Sequence, residues 1–217
     1  MFALGFAGAA ASDPPRTIEG FADLHFGVRA PETLRELAGS RVDLELCALR
    51  EAGHSAGRSL EACERVTGRT HIGYLPFDVE VYYSKHSRRA TRIRLALSDT
   101  EQWSARSYES VLRTLEASHG RAEPFLPLGK TFEGYCEEHL RLARLGTLGD
   151  LAALVPPRCS EAHRIEAPGG RITISRCVRE RCPGAALLLP VSTGGLVGMR
   201  SLDVEVQAAL APGESGH

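Results

Sequence analysis

The stretch FDVEVYYSKHSRRATRIRLAL, residues 77–97, alternates apolar and polar side chains twice over. Val79, Val81 and Tyr83 stand against Glu80, Tyr82 and Ser84, and Ile93, Leu95 and Leu97 against Arg92, Arg94 and Ala96. A period of two is the mark of a strand with one buried and one wet face. The polar run KHSRRAT between them (85–91) supplies the turn, so the segment predicts a β-hairpin. Hairpins make antiparallel neighbours, and this excludes a fold built only from strand–helix–strand crossovers.

Downstream, residues 102–119 carry Tyr108, Val111, Leu112 and Leu115 on one helical face, with Ala105 beside them, and Gly120 follows where a left-handed cap is wanted. Upstream, PETLRELA (31–38) reads as a short helix with proline in its first turn and Gly39 just beyond it. Residues 42–47 alternate again, and 17–26 form a first strand broken at Gly20. Short helices are expected over 133–144 and 147–155, then three closing strands over 171–177, 185–190 and 202–207. The pattern predicts an α+β fold, a mostly antiparallel sheet with two or more helices packed on one face and stapled by disulfides. The expected organisation is a leader over 1–11, one domain over 12–210 with a cysteine-rich subdomain over 125–185, and a disordered tail over 211–217.

The leader is read from FALGFAGAAA (2–11), which is apolar and ends in the small-x-small site Ala9-Ala10-Ala11. No Lys or Arg precedes it, a lack that a start codon further upstream would explain. No segment reaches the roughly 20 apolar residues that span a bilayer, and no cysteine sits near the cleavage site to carry a lipid. An exported, periplasmic or secreted protein is therefore expected. Its six cysteines, Cys47, Cys63, Cys136, Cys159, Cys177 and Cys182, then read as a disulfide framework. If 171–177 and the residues after 182 form a hairpin, Cys177 and Cys182 face each other at about 4.5–5.5 Å, within disulfide reach. Cys47–Cys63 is the next most local pair, and Cys136–Cys159 follows by elimination.

The strings HFGVRAPETLREL (25–37), FDVEVYYSKHSRRATRIRLAL (77–97) and YESVLRTLEASHGRAEPF (108–125) together resemble a pattern of small secreted or periplasmic bacterial α+β domains. Its parts are a phenylalanine-glycine turn before a short helix, an extended hairpin, and an amphipathic helix ending in a glycine-proline segment. The resemblance covers residues 21–124, implies the architecture, and carries over no catalytic residue. Many such domains have no assigned activity.

Three constellations bear on chemistry. Gly53-His54-Ser55-Ala56-Gly57 matches the nucleophile elbow of α/β-hydrolases. Only about forty residues separate Ser12 from Ser55, too few for the strands and oxyanion loop that precede such an elbow, and nothing selects an acid or base among Asp99, Asp150, His119 and His163. Cys159, His163, Cys177 and Cys182, with Cys136 and His139, would permit a zinc site if the chain were a cytosolic module. The basic turn with Arg88 and Arg89, followed by outward-facing Arg92 and Arg94 and flanked by Tyr82, makes an interaction surface, although a solvated hairpin edge is its plainer account.

With 24% charged residues and a formal net charge of -1, the chain has no global drive towards nucleic acid or an anionic membrane, so partners must be recognised by local patches. The sequence predicts a non-enzymatic binding or scaffolding domain of the envelope, with no catalytic set, no metal, no cofactor, no nucleic acid and an unidentified protein or envelope partner. A serine hydrolase using Ser55 and a zinc-stabilised module are the alternatives.

Overall fold

The computed structural model describes residues 16–37, 43–45, 65–125 and 131–209. The expected leader, the Ser55 motif, Cys47, Cys63 and the tail beyond residue 210 lie outside them. In chain order the elements are β1 (Gly20–Phe21), β2 (Leu24–His25), α1 (Ala30–Leu37), β3 (Asp43–Glu45), β4 (Arg65–Ile72), β5 (Leu75–Tyr83), β6 (Ala90–Leu97), α2 (Ala105–His119), β7 (Glu123–Pro124), α3 (Phe132–Arg144), β8 (Pro157–Ala167), β9 (Gly170–Arg179) and β10 (Arg200–Ala208). β1 and β2 form a small ribbon. The others make one antiparallel sheet in the order β3-β4-β5-β6-β10-β9-β8-β7. The chain is thus α+β, as the alternation of residues 77–97 predicts.

The strand order explains why one face is covered and the other is not. β3 to β6 pair consecutively, and the next strand, β7, lies at the far edge of the sheet. α2 makes that crossing and packs against β8 and β9. From β7 the chain returns through β8 and β9 to β10, which closes against β6. A helix crossing a sheet buries whichever face it crosses. Val66, Phe77, Val79, Val81, Ile93, Leu95, Leu202, Val204, Val206, Ile172 and Ile174 all turn towards that side and form one core with Tyr108, Val111 and Leu115 of α2. Leu112 packs at the margin of this core, whereas Ala105 is exposed.

Local chemistry fixes the helix ends. Ser104 caps α2 by accepting from the Ser107 backbone N–H at 3.1 Å. Gly120 ends it at φ +106°, ψ −177°, an extended positive-φ conformation open essentially to glycine alone, rather than the left-handed cap expected. The Glu32 carboxylate accepts from the Arg29 backbone N–H at the start of α1, and the Tyr83 hydroxyl donates to Thr33 Oγ1 at 2.8 Å, holding α1 on the covered side. The β8–β9 turn is Pro168-Gly169, with Gly169 at φ +89°. A Cβ at Gly169 would stand 2.6 Å from the Ile18 carbonyl oxygen, and the Ile18 N–H donates to Pro168 at 2.7 Å. The N-terminal segment is thereby tied to that turn.

Two expectations are overturned together. Residues 185–190 are not a strand: Ala185–Leu187 is a 3₁₀ turn, and Leu188 and Leu189 pack against a second hydrophobic cluster of Cys136, Leu140, Leu154, Cys182 and Ala185. β9 instead finds partners in β8 on one side and β10 on the other. Cys177 therefore bonds to Cys159, directly opposite on β8, and Cys182 bonds to Cys136 of α3. The expected pairs Cys177–Cys182 and Cys136–Cys159 do not form, because the hairpin that would have juxtaposed them belongs to β8 and β9. Among the described residues no cysteine is free.

Candidate functional site

The face of the sheet away from α2 carries the side chains that alternate with the core. Strand register arranges them in rows. Thr67, Glu80, Arg94, Glu205 and Thr173 lie side by side across β4, β5, β6, β10 and β9, and the next row holds Arg65, Tyr82, Arg92, Gln207 and Arg171. The row on the other side holds Arg69, Asp78, Ala96, Asp203 and Ser175.

Opposite charges meet along and between these rows. Glu80 accepts from Arg65 at 2.8 Å and lies 3.7 Å from Arg94, which also reaches Asp203 at 3.2 Å. Arg92 lies 3.9 Å from Glu205, and Arg69 lies 3.4 Å from Asp78. The Tyr82 hydroxyl donates to Glu80 at 2.7 Å, while the Arg92 guanidinium covers the Tyr82 ring at 4.1 Å. Burial works against the charge of Arg94, but Asp203 and Glu80 outweigh it and raise its pKa above the ordinary value. A depression of about 340 Å³ opens here, lined by Thr67, Gly68, Arg69, Asp78, Glu80, Arg94 and Ala96.

Of the five residues grouped as an interaction surface, Tyr82, Arg92 and Arg94 share this face. Arg88 and Arg89 do not: both sit in the β5–β6 turn, Arg88 at φ +56° and Arg89 donating to the Gly27 carbonyl. The hairpin is also no sheet edge, since β4 and β10 flank it. The surface is consequently a lattice of alternating charge, not a basic patch. Two of its carboxylates, Asp78 and Glu80, belong to β5, and the other two, Asp203 and Glu205, arrive from β10, which nothing local in the sequence pairs with β6.

The zinc constellation does not assemble, and three of the groups weighed as partners of Ser55, which lies outside the described residues, are engaged in other bonds. Asp99 accepts from the Glu101 N–H and from Gln102 Nε2, and Asp150 accepts from the Ala152 N–H, so both carboxylates cap 3₁₀ turns. His163 Nδ1 is bonded to the Tyr108 hydroxyl at 2.7 Å beneath α2. Burial, with a smaller contribution from Glu161 that outweighs Arg176, raises the Tyr108 pKa far above the usual phenol value, so the phenol stays protonated between the imidazole and the Ile174 carbonyl. Beside this pair, Arg176 bridges to Glu161 at 2.5 Å and lies over the Trp103 ring at 4.6 Å, while Trp103 Nε1 donates to the Ser201 carbonyl. Four of the six residues weighed for zinc are consumed in the two disulfides, and His139 stacks on Tyr135 at 3.8 Å between ring centres. No group of three metal-ligating side chains occurs among the described residues. Nor is any described helix long and apolar enough to cross a membrane.

Comparison with protein-family models, with curated proteins and with solved structures finds no match to this chain.

Proposed function

We propose that this chain is an exported bacterial envelope protein of the small secreted or periplasmic α+β kind, acting by binding or scaffolding rather than catalysis, and that the uncovered face of its sheet receives the partner. The observation that carries the reading is the lattice of Arg65, Arg69, Arg92 and Arg94 with Asp78, Glu80, Asp203 and Glu205. Exposed ion pairs of this kind contribute only about 0–1 kcal/mol each to a fold. Exchanging them for pairs with a partner of complementary pattern therefore costs the protein little, and the alternation of sign rejects a partner in the wrong register. Two disulfides are consistent with an oxidising, extracytoplasmic compartment.

The test is site-specific photocrosslinking in the native host, with the probe at Thr67 on the open face and, as a control, at exposed Arg113 on α2. A discrete adduct from Thr67, absent from Arg113 and lost on Arg94→Glu, is the expected result. No adduct, or the same adducts from both positions, overturns the reading. Intact mass of the secreted protein with and without reduction checks the compartment, since free thiols throughout contradict export. Labelling by a fluorophosphonate that disappears in Ser55→Ala would replace binding with hydrolysis.

A further inference from the structure

Between Arg181 and Arg200 the chain runs CPGAALLLPVSTGGLVGM without one charged residue, in a protein 24% of whose residues are charged. The side chains of this loop divide into two sets. Ala185 is buried, and Leu188 and Leu189 pack against the cluster around Cys136 and Leu140. Leu187 and Val191, by contrast, are each 98% exposed, and Val197 and Met199 are 41% and 51% exposed. Scattered single aliphatics on a surface need no explanation, but a contiguous uncharged loop presenting several of them marks a contact surface.

The loop is held ready rather than loose. At its neck the Arg179 N–H donates to the Met199 carbonyl and the Gly198 N–H to the Arg179 carbonyl, both at 2.8 Å. At its root the Cys136–Cys182 disulfide fastens it to α3. The tip consists of the 3₁₀ turns Ala185–Leu187 and Val191–Leu196, so that Leu188, Thr193 and Val197 donate their N–H groups within the loop. Internally bonded backbone is what an apolar medium requires of a segment entering it.

The occupant is identified by what surrounds the loop and by what the loop lacks. Exposed arginines stand on both sides of it: Arg181, whose side chain has no partner among the described residues, and Arg200, which lies over the Trp103 ring. Anchors in protein interfaces are mainly Trp, Tyr and Arg, with Leu and Val under-represented. From 182 to 199 there is no aromatic residue, and Ser192 and Thr193 are the only polar side chains. Aliphatic side chains above flanking cations match the boundary between acyl chains and anionic headgroups, where burial is non-directional and phosphates meet the guanidinium groups. We propose that residues 183–199 are a membrane-docking loop, inserting Leu187 and Val191 into an anionic phospholipid surface with Arg181 and Arg200 on its phosphates. This surface is separate from the charged sheet face, and neither reading depends on the other.

The experiment is flotation of the full, disulfide-bonded chain with vesicles of phosphatidylglycerol and phosphatidylcholine, and with phosphatidylcholine alone, at low and high salt. The protein is expected to float with the anionic vesicles, less with neutral ones, and less at high salt. Leu187→Asp and Val191→Asp alter side chains that touch nothing in the fold, and unchanged melting confirms that the variants are folded. Each is expected to weaken partitioning by about tenfold or more, and Arg181→Glu to remove the preference for anionic vesicles. Flotation that is absent, that survives in the Leu187→Asp, Val191→Asp double variant, or that ignores headgroup charge overturns the proposal. So does a concentration-dependent dimer in sedimentation that the double variant abolishes while vesicle binding is unchanged, for the loop would then join two copies of the chain.

Discussion

The core beneath the sheet and the smaller cluster beside α3 solve the same problem by different means. Under the sheet, β4, β5, β6, β10, β9 and β8 each contribute aliphatic side chains to one face, and α2 and the N-terminal ribbon close it. The Cys159–Cys177 disulfide staples only the neighbouring strands β8 and β9, so most of this core rests on apolar area alone. The α3 cluster has five buried residues, and two of them are the bonded pair Cys136 and Cys182. A cluster so small excludes too little apolar surface to offset the entropy of ordering α3 and the long loop after Cys182. The disulfide supplies what packing cannot, by constraining the unfolded chain.

Phe77 is fully buried at the centre of the sheet core. Phe77→Ala is expected to cost about 3–5 kcal/mol, read as a fall in the urea midpoint of a single cooperative transition. Next, Cys136→Ser with Cys182→Ser opens a bridge between positions separated by 46 residues, which the chain-entropy estimate puts at about 4 kcal/mol or less. Here the loss should be local: hydrogen exchange quickens in α3 and the loop over 183–199 while β5 and β6 keep their protection. If the double variant instead lowers protection equally everywhere, the two regions are one cooperative unit and the distinction fails.

The Tyr108–His163 pair sets the next scale, because it is a polar inclusion in the core that otherwise relies on apolar area. Tyr108→Phe keeps the ring and removes the hydroxyl that is hydrogen-bonded to His163 Nδ1 at 2.7 Å. A loss of roughly 1–2 kcal/mol is expected, with the His163 ring resonances shifting in NMR spectra. A neutral outcome would mean that water replaces the hydroxyl at this margin of the sheet core.

Much of this contrast is legible in the sequence, and the illegible part has a physical cause. β5, β6, β10 and α2 place apolar residues at every second position or at helical spacing, so pattern and fold agree. β8 hides itself. Its core-facing positions are Glu161, His163 and Ile165, the first held by Arg176 and the second by Tyr108, and a bulge between Cys159 and Glu161 shifts its phase. β4 hides for a similar reason, since Gly68 and Thr70 occupy two of its four buried positions. With β8 unseen, the run of leucines after Cys182 becomes the natural partner for β9, and the wrong cysteines face each other. The open charged face is only half visible in the sequence: Tyr82, Arg92 and Arg94 alternate locally, whereas Asp203 reaches Arg94 across 109 positions of sequence.

The smallest effect tests how firmly the N-terminal segment closes the sheet core. Arg16 Nη1 donates to the Ala117 and Ser118 carbonyls at 3.2 and 3.3 Å, the open C-terminal end of α2, next to His119. A helix C-terminus ordinarily favours a protonated histidine. Here burial, and then the charge of Arg16, push the His119 pKa below 6.5 instead. The folded state therefore binds this proton less readily than the unfolded chain. Its contribution to stability is complete above about pH 6.5 and is lost as pH falls through the lower folded value. The melting temperature should thus decline from pH 7.5 to pH 5, and His119→Gln should flatten that slope. Arg16→Ala is expected to flatten it in part, because burial remains while the repelling cation is gone. If Arg16→Ala leaves the slope untouched, Arg16 is not seated on α2 in solution, and the N-terminal segment contributes less to closing this core than its contacts suggest.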